Sequence, residues 1–227
     1  MGLFHSASPI VVDGLTFCLD PANKRSYSGV GTTISDYVGG VSGSFTSTPA
    51  YQEVGIGSLA FDGTDDGIQF SSFPQLFSGS FTFSAWVYVE DFDARDIIFG
   101  SYSFSNNFNL EIANGRAMRF FWNNGQTNQY TYGNVTSTGW NYLTFMRERL
   151  SSTSSVVSMY RDATLAISVT STAFSDITTP STFYLARDTR AGGVPLYGKI
   201  SLVTIYNRNL SGSEIEKNYE ATVGRYT

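Results

Sequence analysis

The sequence is poor in the residues that carry nucleophilic and metal chemistry. Among its 227 residues there is one cysteine, Cys18, and one histidine, His5. A single cysteine excludes an internal disulfide and a cysteine-rich zinc site. A Ser-His-Asp or Cys-His arrangement would have to use His5, which lies in an N-terminal arm. We therefore expect an exposed histidine and a protein that is not an enzyme.

Positive charge and long apolar runs are also scarce. The net charge is −5, and the only lysines are Lys24, Lys199 and Lys217. This balance provides no basic surface for nucleic acid. No segment approaches the length of a transmembrane helix, so we expect no membrane insertion. The N-terminus lacks a basic region followed by an apolar run, which argues against a signal peptide.

What the chain does contain is a succession of short segments with strand periodicity, separated by turn residues. The clearest is SFTFSAWVYVE (80–90), in which alternate residues form one apolar face: Phe81, Phe83, Ala85, Val87 and Val89. About a dozen such segments, with no internal repeat and no long linker, predict a single all-β sandwich. We place this domain at 13–227, after an N-terminal arm at 1–12.

The opposite face of this strand carries Trp86 and Tyr88. Large aromatic side chains on both faces favour a strand that is buried on both sides. We expect a second sheet of the same sandwich to cover them, with contact to another subunit as the alternative.

One helix is predicted, at LSGSEIEKNYEATV (210–223). Ser211 and Glu214 have the spacing of a capping box, in which each side chain bonds the backbone N–H of the other residue. Ile215 and Tyr219 lie four residues apart on one face, so we expect the helix to dock on a sheet through them.

A set of short motifs carries a family resemblance. They are strand-end and strand-start sequences in a fixed order: FDG (61–63), SAW (84–86), Trp140, GKI (198–200), IYNR (205–208) and LSGSEI (210–215). In this order they resemble the laminin-G-like domains of the concanavalin A-like lectin/glucanase superfamily, over residues 13 to 223. The resemblance implies a jelly-roll β-sandwich of about fourteen strands with one short C-terminal helix.

The leading segment GLTFCLDPANKRSYSGVGTTISDYVGG (14–40) resembles the start of such domains in bacteriophage and other virion proteins. This implies a virion structural protein, as a capsid decoration or a tail or fibre component, assembled in the host cytoplasm. Its expected partners are other virion proteins, further copies of itself in a homo-oligomer, and a host-surface glycan. A carbohydrate-binding adhesion module is the alternative, and a glycoside hydrolase is a third hypothesis.

The acidic residues give little support to hydrolysis. Retaining glucanases of the resembled fold carry Glu-x-Asp-x-x-Glu on one strand, with the two catalytic carboxyls about 5 Å apart. The nearest run, at 91–96, offers only the shorter aspartates Asp91, Asp93 and Asp96, and it follows a strand. We expect a solvated acidic loop.

Sugar binding has a candidate in FWNNGQTNQYTYGN (121–134), which mixes aromatic rings with planar amides. Aromatic faces stack on the C–H surfaces of sugars, and amides bond pairs of hydroxyls. The candidate glycan-binding residues are Trp122, Asn124, Gln126, Asn128, Tyr130 and Tyr132. An ordinary hairpin with polar side chains is the alternative, and we favour it.

FDGTDDGIQF (61–70) has the start of a calcium loop, but the closing position of an EF-hand is Phe73 and not Glu. The sequence pattern of the flanking segments also predicts strands. We favour a tight turn in which Gly63 and Gly67 take positive φ angles. Asp65 and Asp66 remain the candidate calcium ligands, if another loop completes the site, and we expect no other cofactor.

Overall fold

The computed structural model describes residues 9–52, 56–71, 78–91, 95–101, 107–113, 116–123, 127–132, 137–172, 174–176, 182–187 and 194–227; of 107, 123 and 127–132 it describes the backbone. These residues form two antiparallel β-sheets and one α-helix, which confirms the all-β class with a short C-terminal helix. No helix in these ranges is long and apolar enough to span a bilayer.

The first sheet, sheet A, has eight strands. Seven follow one another across the sheet: β14 (Thr164–Ser171), β13 (Ser154–Arg161), β12 (Gly139–Ser151), β7 (Phe81–Val89), β16 (Tyr197–Tyr206), β5 (Ser58–Asp62) and β4 (Ala50–Gln52). The eighth, β1 (Leu15–Leu19), pairs with the C-terminal half of β16, beyond the point where β5 ends.

The second sheet, sheet B, also has eight strands, here in spatial order: β11 (Thr127–Tyr132), β10 (Ala117–Asn123), β9 (Asn107–Ala113), β8 (Asp96–Ser101), β15 (Phe183–Leu185), β6 (Gly67–Phe70), β3 (Ser42–Ser47) and β2 (Thr33–Ser35). β11 therefore forms one edge of the sheet and β2 the other.

The core lies between the two sheets and follows the alternation of the strands. The predicted apolar face of β7 is buried throughout, with Phe81, Phe83, Ala85, Val87 and Val89 at 1% exposure or less. Sheet B contributes the even-numbered residues of β9 and β10, from Phe108 to Trp122. Each large apolar side chain buried in this way stabilises the fold by about 1.5–3 kcal/mol.

The outer face of sheet A is covered by helix α1 (Gly212–Thr222) and the 3-10 turn Val223–Arg225 that follows it. Trp86 is 2% exposed, and its Nε1 donates to Thr222 Oγ1 at 2.9 Å. Our expectation that a second sheet covers Trp86 was therefore wrong. Tyr88, farther along the strand, stays half-buried beside Trp140.

Helix α1 begins as the sequence predicted. The Ser211 side chain accepts a hydrogen bond from the Glu214 N–H, and Glu214 Oε2 accepts one from the Ser211 N–H at 2.8 Å. The Arg208 guanidinium and this backbone bond lower the pKa of Glu214 to about 2. Ile215 is fully buried and Tyr219 stacks on Trp86, so the docking face of the helix is confirmed.

Residues 9–12 of the N-terminal arm contact the sandwich itself. The Val11 N–H donates to Asn218 Oδ1 at 2.8 Å, and the Val11 carbonyl accepts from the Tyr206 hydroxyl at 2.9 Å. This part of the arm thus lies against helix α1 and β16, while residues 1–8 fall outside the described ranges.

Candidate functional site

Trp122 is buried, so a sugar cannot stack on its ring. The side chain is 0% exposed in the core between the sheets, and its Nε1 donates to the Ser175 carbonyl at 2.9 Å. The Arg147 guanidinium lies over the indole, 5.0 Å from the ring centroid. The interpretation of Trp122 as a glycan-stacking residue was therefore wrong, because its position in β10 turns it inward together with Phe120.

The other five predicted glycan residues are only partly placed. Asn124 and Gln126 lie outside the described residues. Asn128, Tyr130 and Tyr132 belong to the edge strand β11, of which the backbone is described. Their register partners on β10 are the buried residues Trp122, Phe120 and Met118. For these five residues the glycan-binding role stays a prediction.

The outer face of sheet B, on the other side of the same strands, has a continuous row of residues across the sheet. Register partners connect every strand in turn, from the β2 edge to the β11 edge: Thr33, Ser44, Gln69, Tyr184, Gly100, Asn109, Phe121 and Gln129. The row is mainly polar, with an aromatic residue on each side of the Gly100–Asn109 pair. We call this part of the outer face the sheet B groove.

In the middle of the sheet B groove, Gly100 leaves room for the Asn109 side chain because it has no side chain of its own. A Cβ there would lie 2.2 Å from Asn109 Oδ1, so the Asn109 amide occupies the space above the glycine. Tyr184 and Phe121 stand on either side and are half-buried. Their strands are three strand spacings apart, or roughly 14 Å. The Asn109 amide and the Gly100 backbone thus form a buried floor between two half-buried aromatic residues.

A second row lies next to the first, two residues farther along β9. Glu111 pairs in register with Ile97 and Arg119, and its side chain is fully buried. Arg119 binds Glu111 Oε1 through Nε and Nη2. Arg95 approaches the other oxygen, with its Nε 3.8 Å from Oε2. The groove floor therefore contains a buried carboxylate between two arginines.

The described contacts of the Glu111 carboxylate are charge pairs with arginine. Among the described side chains, the groups that form ion pairs with Glu111 are the guanidinium groups of Arg95 and Arg119. Retaining and inverting glycosidases both need a second carboxyl, at about 5–5.5 Å or 6.5–9.5 Å. Arginine supplies charge pairing but neither the nucleophile nor the acid of such a pair.

The acidic run at 91–96 differs from the predicted solvated loop at its last residue. Asp96 is 3% exposed at the start of β8, and its Oδ1 accepts a hydrogen bond from the Tyr197 N–H at 2.9 Å. Burial raises the pKa of Asp96 to about 6, and the charge of Asp91 adds to the rise. Asp96 thus ties the start of β8 to the start of β16, and Asp93 lies outside the described residues.

The acidic turn after β5 brings three carboxylates together. The ligand oxygens of Asp62, Asp65 and Asp66 lie within 4.8 Å of one another. Asp62 Oδ1 accepts from the Thr64 N–H at 2.8 Å, and Asp66 Oδ2 accepts from the Asp62 N–H at 3.2 Å. Burial, opposed by this backbone bond and aided by the neighbouring carboxylates, raises the pKa of Asp66. The turn is closed by its own carboxylates.

The two glycines of this turn serve different purposes. Gly63 has a φ of +76°, as predicted. Gly67 does not take a positive φ, so that expectation was wrong. Gly67 is required because a Cβ there would lie 2.4 Å from the Cδ of Arg187, which crosses directly above it.

The cluster fits calcium incompletely. Calcium takes six to eight oxygen ligands, whereas two of the three carboxylates here already close the turn. The Asp65 carbonyl is also taken, because Arg187 Nη1 donates to it at 2.7 Å. A guanidinium at this position opposes a second cation. Asp65 and Asp66 stay candidate ligands, and the turn interpretation is the better supported one.

Two antiparallel sheets packed as a sandwich, with one short C-terminal helix, form the architecture of a concanavalin A-like β-sandwich. Residues 62–216 match the family model Laminin_G_3, described as the concanavalin A-like lectin/glucanases superfamily. The chain belongs to this family, which confirms the resemblance that the motifs carry.

No curated protein sequence matches the chain, but solved structures do. Domain 4 of AbnA, a GH43 extracellular arabinanase from Geobacillus stearothermophilus, solved in complex with arabinotriose, is 19% identical with a TM-score of 0.69. That match covers 90% of this chain and 98% of the other. At this level of identity the likeness shows the fold alone.

Toxin binding domains form a second group of similar structures. One is botulinum neurotoxin type C, whose cell entry depends on two ganglioside molecules (11% identity, TM-score 0.71, covering 92% of this chain and 51% of that one). Another is the binding domain of Paraclostridial Mosquitocidal Protein 1 (13% identity, TM-score 0.72, covering 91% and 52%). The chain thus spans about half the length of these toxin chains.

Proposed function

We propose that this protein is a carbohydrate-binding module without catalytic activity, and that it holds a glycan in the sheet B groove. The observation that carries the proposal is the row Tyr184–Gly100–Asn109–Phe121 across four neighbouring strands. Binding sites for small ligands combine apolar and aromatic walls with a few placed polar groups, and this row has that composition.

The comparisons support the same function in general terms. The arabinanase domain was solved with a bound oligosaccharide, and the neurotoxin enters cells through gangliosides. Another neurotoxin binding domain was solved with rat synaptotagmin II, so domains of this fold also bind proteins. We favour a glycan here because the groove floor is polar and its two walls are separate aromatic rings, whereas a protein partner is usually met by a continuous apolar centre.

A glycan array followed by calorimetric titration tests the proposal. The wild-type protein is expected to bind a defined group of oligosaccharides, and Tyr184→Ala is expected to weaken the best of them by about threefold to tenfold, the value of one aromatic contact. Tyr197→Ala is the matched control, since Tyr197 is a tyrosine 48% exposed on sheet A. Equal loss in both variants, or unchanged binding in Tyr184→Ala, would contradict a site in this groove.

A virus particle is the setting that the leading segment suggests for this module. Capsid decoration, a tail or fibre position, assembly with other virion proteins and a homo-oligomer all stay proposals about where the module is carried. Proteomic analysis of purified particles, together with light scattering of the isolated protein, tests them. Absence from particles and a monomer in solution would argue against this setting while leaving glycan binding intact.

A further inference from the structure

β14 is an edge strand of sheet A and the longest edge strand in the described part of the chain. It has eight residues, whereas the other edge strands β1, β2, β4 and β11 have three to six. Among the described strands, β13 is the one that pairs with β14, so the far side of β14 stays open. An open edge presents backbone N–H and C=O groups with which another strand can pair.

The usual protection of an edge strand is missing from β14. Natural edges are kept apart by lysine or other charged side chains, by proline, or by short length. The run from 163 to 175 contains no charged residue and no proline. With a net charge of −5, two copies of the chain repel each other in general, and an uncharged edge is where that repulsion is weakest. One irregularity in the pairing with β13 lies near the start of β14 and leaves Ile167–Ser171 regular.

The side chains of β14 leave the core incompletely covered at this edge. Ile167 and Val169 pair in register with the buried residues Met159 and Val157, so they belong to the inner face of sheet A. Both are themselves only half-buried. Ser168, between them, is exposed on the outer face. The core therefore ends on two β-branched side chains that a further strand would cover.

We propose that β14 pairs antiparallel with β14 of a second copy of this chain, across a two-fold axis at Ser168, and so joins the two sheets A into one. This register places Ile167 of each copy opposite Val169 of the other, a β-branched pair on the inner face. Ser168 faces Ser168 of the second copy on the outer face. A two-fold contact is self-complementary and closes at two copies, which uses up the open edge.

The surroundings of β14 are compatible with a second copy in this orientation. Near Thr164, Arg161 forms an ion pair with Asp162 at 3.0 Å. At the other end, Arg149 forms one with Asp176 at 2.9 Å. Antiparallel pairing brings the first end of one copy beside the second end of the other. Because each end carries charges of both signs, no block of like charge opposes the contact.

The pairing has a consequence for glycan binding. The two-fold axis is perpendicular to the joined sheet, so the two sheet B grooves face the same side of the dimer. A dimer that meets a glycan-covered surface engages both grooves and gains avidity without a new contact. This consequence rests on the proposed function, whereas the pairing of the two β14 strands does not.

The first test measures the oligomeric state in solution. Sedimentation velocity of the wild-type protein from about 1 μM to 1 mM is expected to show a monomer–dimer equilibrium without larger species. Ser168→Lys places two like charges together at the axis and is expected to weaken the dimer by at least about tenfold. Ala50→Lys, an exposed position on the opposite edge strand β4, is the matched control and is expected to dimerise like the wild type. Thermal melting checks that each variant is folded.

The second test traps the pairing covalently. In Ser168→Cys the two new thiols face each other across the axis, where opposite Cβ atoms of antiparallel strands lie about 4.5–5.5 Å apart, close to disulfide geometry. Mild oxidation is expected to give a disulfide-linked dimer. The native Cys18 is fully buried and does not compete. Ser213→Cys, exposed on helix α1, is the control for collisions between molecules and is expected to remain mostly monomeric.

The outcomes separate this inference from the proposed function. A wild-type protein that stays monomeric over the whole range, a dimer that survives Ser168→Lys, or equal cross-linking of the two cysteine variants overturns the pairing. Each of these leaves glycan binding by a single copy untouched. Conversely, a dimer that binds no glycan supports the pairing and contradicts the proposed function. If Ser168→Lys does not fold, the comparison of the two cysteine variants decides.

Discussion

The rings of Trp86 and Tyr226 stack nearly parallel, with their centroids 4.0 Å apart and their planes at 15°. The Tyr226 hydroxyl donates to Ser201 Oγ at 2.9 Å. Next to it, Arg225 binds both carboxylate oxygens of Asp20 and the Ile56 carbonyl. The segment after helix α1 is therefore anchored to four separate strands or turns, and it closes the outer face of sheet A.

Replacing Tyr226 by alanine is expected to lower the free energy of unfolding by about 3 kcal/mol, the usual cost of removing a buried aromatic side chain. Glycan affinity should stay unchanged, because the sheet B groove lies on the opposite side of the sandwich. Urea denaturation and calorimetric titration measure the two quantities. Tyr197→Ala, at an exposed position, is expected to cost less than about 0.5 kcal/mol. A similar small cost for Tyr226→Ala would contradict the anchoring role.

The sequence pattern predicted most of the fold because the two structural periods are clear in it. Strand alternation identified the core face of β7, and the capping box identified the start of helix α1. The cover over Trp86 was wrongly predicted, since alternation shows that a face is apolar but not which element packs on it. Only the tertiary contact between Trp86 and Tyr226 settles that question.

The candidate site was harder to predict for a related reason. In Phe120-Phe121-Trp122 both strand faces carry an aromatic residue, so composition does not show which one is inward. The alternation of Phe108, Leu110 and Ile112 with polar residues at 109 and 111 was the available signal. It marks Asn109 and Glu111 as outer-face residues. Their meeting with Gly100 and Tyr184 depends on long-range pairing that no local pattern contains.

Phe121 and Trp122 are expected to respond in opposite ways to alanine substitution. Trp122→Ala should cost about 3–5 kcal/mol of stability, because it empties a core position and uncovers Arg147. Phe121→Ala should cost much less stability but weaken glycan binding by about threefold to tenfold. Chemical denaturation and titration of both variants test this. Weaker binding by a fully folded Trp122→Ala protein, with unchanged binding by Phe121→Ala, would contradict a site on the Phe121 face of β10.

Gly100→Ala tests the floor of the groove without removing any of its polar groups. The added Cβ would lie 2.2 Å from Asn109 Oδ1 and 3.0 Å from the Phe108 carbonyl, so the Asn109 side chain must move. We expect glycan affinity to fall by about tenfold, the value of one lost hydrogen bond and its orientation. Gly79→Ala, where a Cβ meets nothing within 4 Å, is the matched control. Binding that survives Gly100→Ala unchanged would exclude Asn109 from the site.

Asp96 is expected to make stability depend on pH in a definite direction. Burial raises its pKa from the ordinary value of 3.8 to about 6, so the folded protein holds this proton more tightly than the unfolded chain. The stability that the proton contributes is complete below pH 4 and is lost as the pH rises through 6. The difference between the two pKa values corresponds to about 3 kcal/mol.

Asp96→Asn removes this dependence, because the amide oxygen still accepts from the Tyr197 N–H but does not ionise. We expect the free energy of unfolding of the variant, relative to wild type, to rise by up to about 3 kcal/mol between pH 4 and pH 7. Comparing the two proteins at each pH cancels the carboxylates that they share, including Asp66 and Glu214. A difference that stays constant over this range would show that Asp96 is ionised in both states.

The acidic turn after β5 is expected to hold its shape without calcium. Asp62 and Asp66 already bind backbone N–H groups of the turn, and Arg187 donates to the Asp65 carbonyl, so a cation would have to displace these contacts. Millimolar calcium should therefore leave the melting temperature within about 1 °C, since a ligand stabilises only in proportion to its binding to the folded state. A chelator should have no effect either. A calcium-dependent rise that Asp65→Asn abolishes, while Asp162→Asn at the β13–β14 turn keeps it, would establish a metal site here instead.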